Sequence, residues 1–262
     1  MEILMLIMIF YIGTCFGSFY NVVIDRLPRE INFVHGRSYC PSCKHSLSTV
    51  DLFPIISFLF LRGKCRYCKT SIPIRSLLIE ILSGLLFFLS FYKYGWTSFA
   101  LIQVVFWGML MIVGFIDYDT MYIYDAMLLF YFIIFGIYYG IADFANIWMH
   151  IKGAVYCFVI FSVIYFLAKL YYGQEAFGFG DVLLNGVLGF YLGSHNTFLI
   201  CFLPFYVAAV DLLFQRIFFR NISLNREVSF GPYMCISAWI ISLYGKEIHI
   251  FLGKYLSLFG GV

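Results

Sequence analysis

Long apolar stretches recur from one end of this chain to the other, and they leave few folds open to it. A run of about 18 or more apolar residues with few charges can cross a bilayer as a helix. Candidate spans fall at roughly 3–24, 74–92, 98–116, 126–142, 151–170, 181–194, 197–214 and 230–245. The sixth is short and holds Gly186, Gly189 and Gly193, so it either packs tightly through small residues or falls short of a full crossing. The runs do not alternate between apolar and polar residues, which excludes an outer-membrane barrel. Composition agrees: 63% of residues are hydrophobic and 12% charged, against roughly 45–50% and about 25% in soluble domains.

Glu2 stands where a signal peptide would be basic, and no small-residue cleavage site follows, so the first run reads as a retained helix. The segment after Lys246, interrupted by Lys254, is expected to lie on the membrane surface. Lys and Arg set the orientation. Nine of them fall between Arg26 and Arg75, and with Lys169, Arg216, Arg220 and Arg226 they make thirteen of seventeen on one side; Lys93, Lys152, Lys246 and Lys254 remain for the other. The positive-inside rule then puts the N-terminus outside and the loop 25–73 in the cytosol. A net charge of +3 is too small a field to suggest nucleic acid. No internal repeat or low-complexity tract stands out.

The loop is too small for a large apolar core and needs a staple. It carries Cys40-Pro-Ser-Cys43 and Cys65-Arg-Tyr-Cys68. Each pair can place two thiolates on one metal, and two pairs complete a tetrahedron. Lys44, Lys64 and Arg66 favour the thiolate form, and cytosolic thiols stay reduced rather than bridged. Four sulfurs leave no open position for water, so the expected ion is a structural zinc. The other reading is a set of free thiols or a redox dithiol. Cys15, Cys157, Cys201 and Cys235 are scattered through apolar runs and read as buried packing residues.

Ionisable groups inside spans are costly and invite a functional reading. Asp117 ends the third span in Gly114-Phe-Ile-Asp117-Tyr-Asp119, and Asp181 opens the sixth after Gly178-Phe-Gly180. The orientation puts both at the cytosolic side. Two neighbouring carboxylates share one proton; the ionised member deprotonates water and the protonated member polarises a carbonyl. That is metal-free amide hydrolysis, and Gly178 and Gly180 would let an extended substrate approach. Asp181 also reads simply as a helix cap, and Asp119 and Asp125 as solvated loop acids. No GxSxG elbow, HExxH or P-loop occurs.

Further blocks join these in order: Gly17-Ser-Phe-Tyr-Asn21-Val-Val-Ile-Asp-Arg26-Leu-Pro28, Pro54-Ile-Ile-Ser57, Arg62-Gly-Lys-Cys65, Arg75 to Glu80, and Phe230-Gly-Pro232. With Ile116-Asp117 and Gly178-Phe-Gly-Asp181 they resemble, over nearly the whole chain, the bifunctional prepilin peptidases (type IV leader peptidases) of the GxGD membrane aspartic proteases. Tyr124 stands where the family pattern has Pro, and Leu183 where many members have Lys. The resemblance implies an all-α polytopic membrane bundle of about eight spans with a small cytosolic four-cysteine zinc loop. It implies a first helix over 1–24, a loop over 25–73 concerned with methyl transfer, and a peptidase part over 74–262. Asp117 and Asp181 are then catalytic, with Gly178, Gly180 and Asp119 in support. Cys40, Cys43, Cys65 and Cys68 hold the zinc, and S-adenosylmethionine is the second cofactor. The substrates implied are prepilins of type IV pili or pseudopilins of type II secretion, processed in the bacterial inner membrane. Membrane lipid and pilus or secretion assembly proteins are the other partners, and no nucleic acid is expected. Two other classes fit the composition: an assembly protein that binds partners through its zinc loop, and a proton-coupled transporter.

Overall fold

A computed structural model of the chain describes residues 3–173, 178–218 and 228–259. Two of the basic residues counted above, Arg220 and Arg226, lie outside them. The described residues are helical with no strands, and they divide into two compact units, 1–112 and 113–262.

The first unit holds α1 (Ile3–Arg26), the cysteine loop with the short α2 (Ile56–Phe60), α3 (Ile74–Tyr94) and most of α4 (Ser98–Thr120). α1 and α3 pack backbone to backbone because glycines line the seam. A Cβ on Gly13 would lie 2.7 Å from the Phe87 Cβ and 2.9 Å from the Gly84 Cα, and one on Gly17 would lie 2.7 Å from the Glu80 Cα. Ser83 seals this approach by donating to the Gly13 carbonyl at 2.7 Å. In lipid, where apolar contact alone gives no preference between helix and hydrocarbon, such close packing is what holds helices together.

The second unit takes the end of α4, then α5 (Asp125–Ala142), α6 (Ile147–Tyr172), α7 (Phe179–Leu192), α8 (Thr197–Phe218) and α9 (Gly231–Phe259). Among the described residues seven helices are long and apolar enough to cross a membrane, and α7 is an apolar helix that falls short of that length. Its 14 residues rise about 21 Å, less than the roughly 30 Å of hydrocarbon. It starts after Gly178 and stops at Gly193, whose φ of +79° ends the helix. α7 can be short because it is wrapped by α5, α6, α8 and α9. From Asp181 to Tyr191 every residue except Leu183 is buried, so protein rather than lipid satisfies its surroundings. Gly189 makes the closest approach, to the Gly153 carbonyl of α6. The segment after Lys246 does not lie apart as a surface piece. It continues α9 as one helix to Phe259, since no proline interrupts its hydrogen-bond ladder.

Candidate functional site

The acids expected to act together come from α4 and α7. Asp117 sits in the last turn of α4 and is 4% exposed, while Asp119, two residues on, is exposed. The main-chain N–H of Gly231 donates to the Asp117 Oδ2 at 2.9 Å. Gly231 opens α9, so Asp117 faces a helix N-terminus, where free N–H groups and the helix dipole favour negative charge. Asp181 is built by the same device. It lies in the first turn of α7, and its Oδ2 accepts the Gly178 N–H at 3.1 Å, the return half of a capping box. Its Oδ1 is buried without a hydrogen-bond partner among the described residues. The two carboxylates lie within electrostatic range of each other, and the buried Cys235 thiol lies within range of both. An orphaned carboxylate oxygen beside a second carboxylate is costly for folding and suits a site that holds a proton or a water.

The glycines differ in what they do. Gly178 is exposed, with φ −71°, and an added Cβ would make only ordinary contact, 3.9 Å from the Asp181 Oδ2. Gly180 lets α7 approach Ile123, whose Cβ would lie 3.0 Å from an added Cβ. Gly231 is tighter than either: a Cβ there would lie 2.5 Å from the Asp117 Oδ2 and 3.0 Å from its Cγ. In the sequence, Phe230-Gly-Pro232 stands out only as part of the family resemblance; the local signal it carries is a glycine-proline pair at a helix start. The other intramembrane acid of this unit, Asp211, accepts from the Tyr233 hydroxyl and from Gln215, both at 2.7 Å, and ties α8 to α9. Asp125 is exposed at the start of α5.

In the first unit, Cys40, Cys43, Cys65 and Cys68 converge, with all four Sγ atoms within 4.8 Å of one another. A tetrahedral zinc with bonds of about 2.3 Å requires sulfur–sulfur edges of about 3.8 Å. The Cys40 and Cys68 sulfurs are 3.8 Å apart, so the set fits a metal. Two copies of one knuckle build it. Cys40 N–H donates to the His45 carbonyl and Lys44 N–H to the Cys40 carbonyl, with Lys44 at φ +57°. Cys65, Lys69 and Thr70 repeat the pattern, with Lys69 at φ +61°. This corrects the expectation of no internal repeat: a five-residue one, Cys-x-x-Cys-Lys, occurs twice, too short to stand out before its shared fold is seen. The Cys43 main chain, more than any other contact, draws the Cys40 thiol below its ordinary range. The Thr70 hydroxyl, and then its main chain, draw Cys68 down to about 6. Cys43 moves the other way, to about 11: its bond from the His45 main chain is outweighed by burial and by the Cys68 and Cys40 thiols. His45 is no ligand here; its ring lies against Tyr67, with centroids 3.7 Å apart. Asp51 binds the loop together, accepting from Arg66 Nε at 2.6 Å, the Ser48 hydroxyl at 2.7 Å and the Tyr67 hydroxyl at 3.1 Å. Burial raises its carboxyl, but these bonds outweigh burial and hold it at about 2.

Beside the knuckles lies a cavity of about 430 Å³ between α1, the loop and the start of α3, with Glu80 in its wall. Its mixed lining of carboxylates, arginines, hydroxyls and aromatic rings fits a small polar ligand.

Comparison with known proteins gives the following. Residues 11–94 match the bacterial peptidase A24 N-terminal domain, and residues 104–213 match the type IV leader peptidase family. A prepilin leader peptidase/N-methyltransferase of Neisseria gonorrhoeae is 32% identical over 88% of this chain and 87% of that protein. Its namesake in Pseudomonas putida is 31% identical over 91% of this chain and 90% of that protein. The one in Pseudomonas aeruginosa is 29% identical over 90% and 89%. No solved structure matches the chain.

Proposed function

This chain belongs to the type IV leader peptidase family, and from that premise we propose that it is a multi-pass membrane aspartic endopeptidase. It removes the basic leader from type IV prepilins or type II secretion pseudopilins at the cytosolic face and then methylates the new N-terminal amine. The observation that carries this reading is the pair Asp117 and Asp181: both buried, each held by a main-chain N–H at a helix start, and close enough to interact.

Chemistry follows from that arrangement. The pair shares a proton, because two adjacent carboxylates do not both ionise at low cost. The ionised member takes a proton from water as it attacks the scissile carbonyl; the protonated member donates to the carbonyl oxygen. The helix-start N–H groups fix both carboxylates, leaving the Asp181 Oδ1 for the shared proton or the water. Gly178, Gly180 and Asp119 border this site in sequence.

The four cysteines hold a structural zinc, and with no fifth donor from His45 its role is to fold the loop 25–73. That loop and the helices beside it carry methyl transfer, while the helices of 74–262 carry cleavage. S-adenosylmethionine supplies the electrophilic methyl group. The protein resides in the bacterial inner membrane with its N-terminus outside, and pilus or secretion assembly proteins are its neighbours. Co-expression with a candidate prepilin, followed by mass analysis of its N-terminus, tests the whole reading. Leader removal and a methyl group are expected, and Asp117→Asn or Asp181→Asn should abolish removal with the protein still inserted. Full cleavage by either variant refutes the assignment.

A further inference from the structure

Cleavage at Asp117 and Asp181 leaves one intramembrane acid of the first unit without a role. Glu80 lies one and a half turns into α3, in the wall of the cavity of about 430 Å³. An acid in a spanning helix is kept only at a cost, which makes it a functional candidate with a partner to be named. Its fixed partner is unusual. The Glu80 Oε2 accepts the Ile55 N–H at 2.8 Å. Ile55 stands at φ +61°, ψ −52°, a conformation that a β-branched residue holds only when its surroundings dictate it. The loop is thus fastened to α3 at the cavity wall, and Glu80 is positioned rather than left to roam. Ser18 of α1 gives it a second hydrogen bond.

The other charges around the cavity are differently placed. Asp51 is bound to Arg66, Ser48 and Tyr67. Arg26 donates to the carbonyls of Asn32 and Arg37. Asp25 and Arg29 are exposed. Asp51 is half-buried as well, but its charge is met by Arg66, whereas the half-buried Glu80 is held by the Ile55 N–H and by Ser18. Phe58 and Tyr39 add aromatic faces. A negative group inside, aromatic faces beside it and an exposed cation are what a ligand with a sulfonium centre, a purine and a carboxylate requires.

We propose that this cavity binds the methyl donor, S-adenosylmethionine, with Glu80 as the negative wall for its cationic centre. The inference rests on the methylation half of the proposed function. The full chain in detergent micelles is irradiated with radiolabelled S-adenosylmethionine and the labelled peptide is mapped. Equilibrium binding is measured on the same preparation, and leader cleavage is followed in parallel. Label is expected within residues 18–80. Glu80→Gln keeps an acceptor for the Ile55 N–H but removes the charge, so it should weaken binding at least tenfold. Ser76→Trp fills the cavity and should abolish binding. Both variants should cleave leader at the wild-type rate within about twofold. Label outside 18–80, or wild-type binding by both variants, overturns the cavity assignment and leaves methylation standing. A wild-type chain that cleaves leader but neither binds the donor nor methylates the product overturns the methylation reading itself.

Discussion

Replacing Gly231 by alanine should cripple cleavage although the residue has no side chain of its own. A Cβ at this position would lie 2.5 Å from the Asp117 Oδ2, 3.0 Å from its Cγ and 3.2 Å from its Cβ. The carboxylate must swing away, and it then loses the Gly231 N–H that reaches it at 2.9 Å. A hydrogen bond to a charged group is worth about 1.5–3 kcal/mol, which corresponds to a loss of about 10- to 150-fold in rate if the bond is present in the transition state. The backbone itself gives no reason for loss: Gly231 begins a helix, where alanine is the better residue. Gly178→Ala is the internal control. It also donates its N–H to a catalytic candidate, but the nearest described atom to its Cβ is 3.9 Å away, so its rate should stay within about twofold. The assay is cleavage of a prepilin by purified full-length variants, with helicity and metal content checked in each. Gly231→Ala cleaving within threefold of wild type refutes the view that this N–H and the space beside it place Asp117.

Four other outcomes follow from the geometry. Stripping the metal with a chelator should expose residues 37–72 to limited proteolysis while leaving cleavage of a leader peptide intact, because the four sulfurs hold only that loop; coincident loss of both would refute a purely structural role. Asp51, held at about 2 instead of 3.8, is worth about 2 kcal/mol by linkage, cut to about 1 by solvent screening, since Arg66 is 47% exposed. Its folded value is depressed, so this stability is present above about pH 4 and is lost as pH falls through about 2; Asp51→Asn should lower hydrogen-exchange protection over residues 48–66 about fivefold at pH 7. Tyr233→Phe removes the 2.7 Å bond to Asp211 and should cost about 1–2 kcal/mol in a denaturant titration. Gly189→Val should prevent α7 from seating on α6, because its Cβ already meets the Gly153 carbonyl and the Cys157 side chain, and should be read as loss of detergent-stable protein rather than of rate alone.

The helices were legible because lipid imposes one period and one length on a chain. Both signals are local, which is why spans such as 98–116 and 197–214 were found within a few residues of α4 and α8. The reach of α9 beyond Lys246 was not, since a charged residue on a helix end reads in sequence like a boundary. The four cysteines were legible for a related reason: two ligands per knuckle come from adjacent chain, so spacing encodes geometry. What could not be read were contacts between distant segments. Asp117 and Gly231 are separated by 114 positions, and nothing local to either announces the other. The same holds for Glu80 and Ile55, 25 positions apart, where the only local trace is an isoleucine in an unfavourable backbone region that sequence cannot display.

Those distant contacts share a form, and the form bears on how such a site can exist in lipid. A carboxylate buried in a membrane protein needs donors, and apolar helices offer few from their side chains, Tyr233 and Gln215 beside Asp211 being two. Helix N-termini are the exception, because their first N–H groups lack partners within the helix. Asp117 is served by the start of α9 and Asp181 by the start of α7. The two starts are written alike, with a glycine next to a phenylalanine, Phe230-Gly231 and Gly178-Phe179. Only the first glycine is closed in by the carboxylate that it serves. A chain that had to supply lysine or arginine instead would bring a second buried charge and its own desolvation cost. Main-chain donors avoid that cost and hold their geometry without a side chain to reorder. On this reasoning, Asp117→Glu should fail as badly as Asp117→Asn. The longer side chain carries the same charge, but it would push its oxygens past an N–H fixed by the first turn of α9. Cleavage by Asp117→Glu at more than a tenth of the wild-type rate would show that charge, rather than placement by the helix start, is what this position supplies.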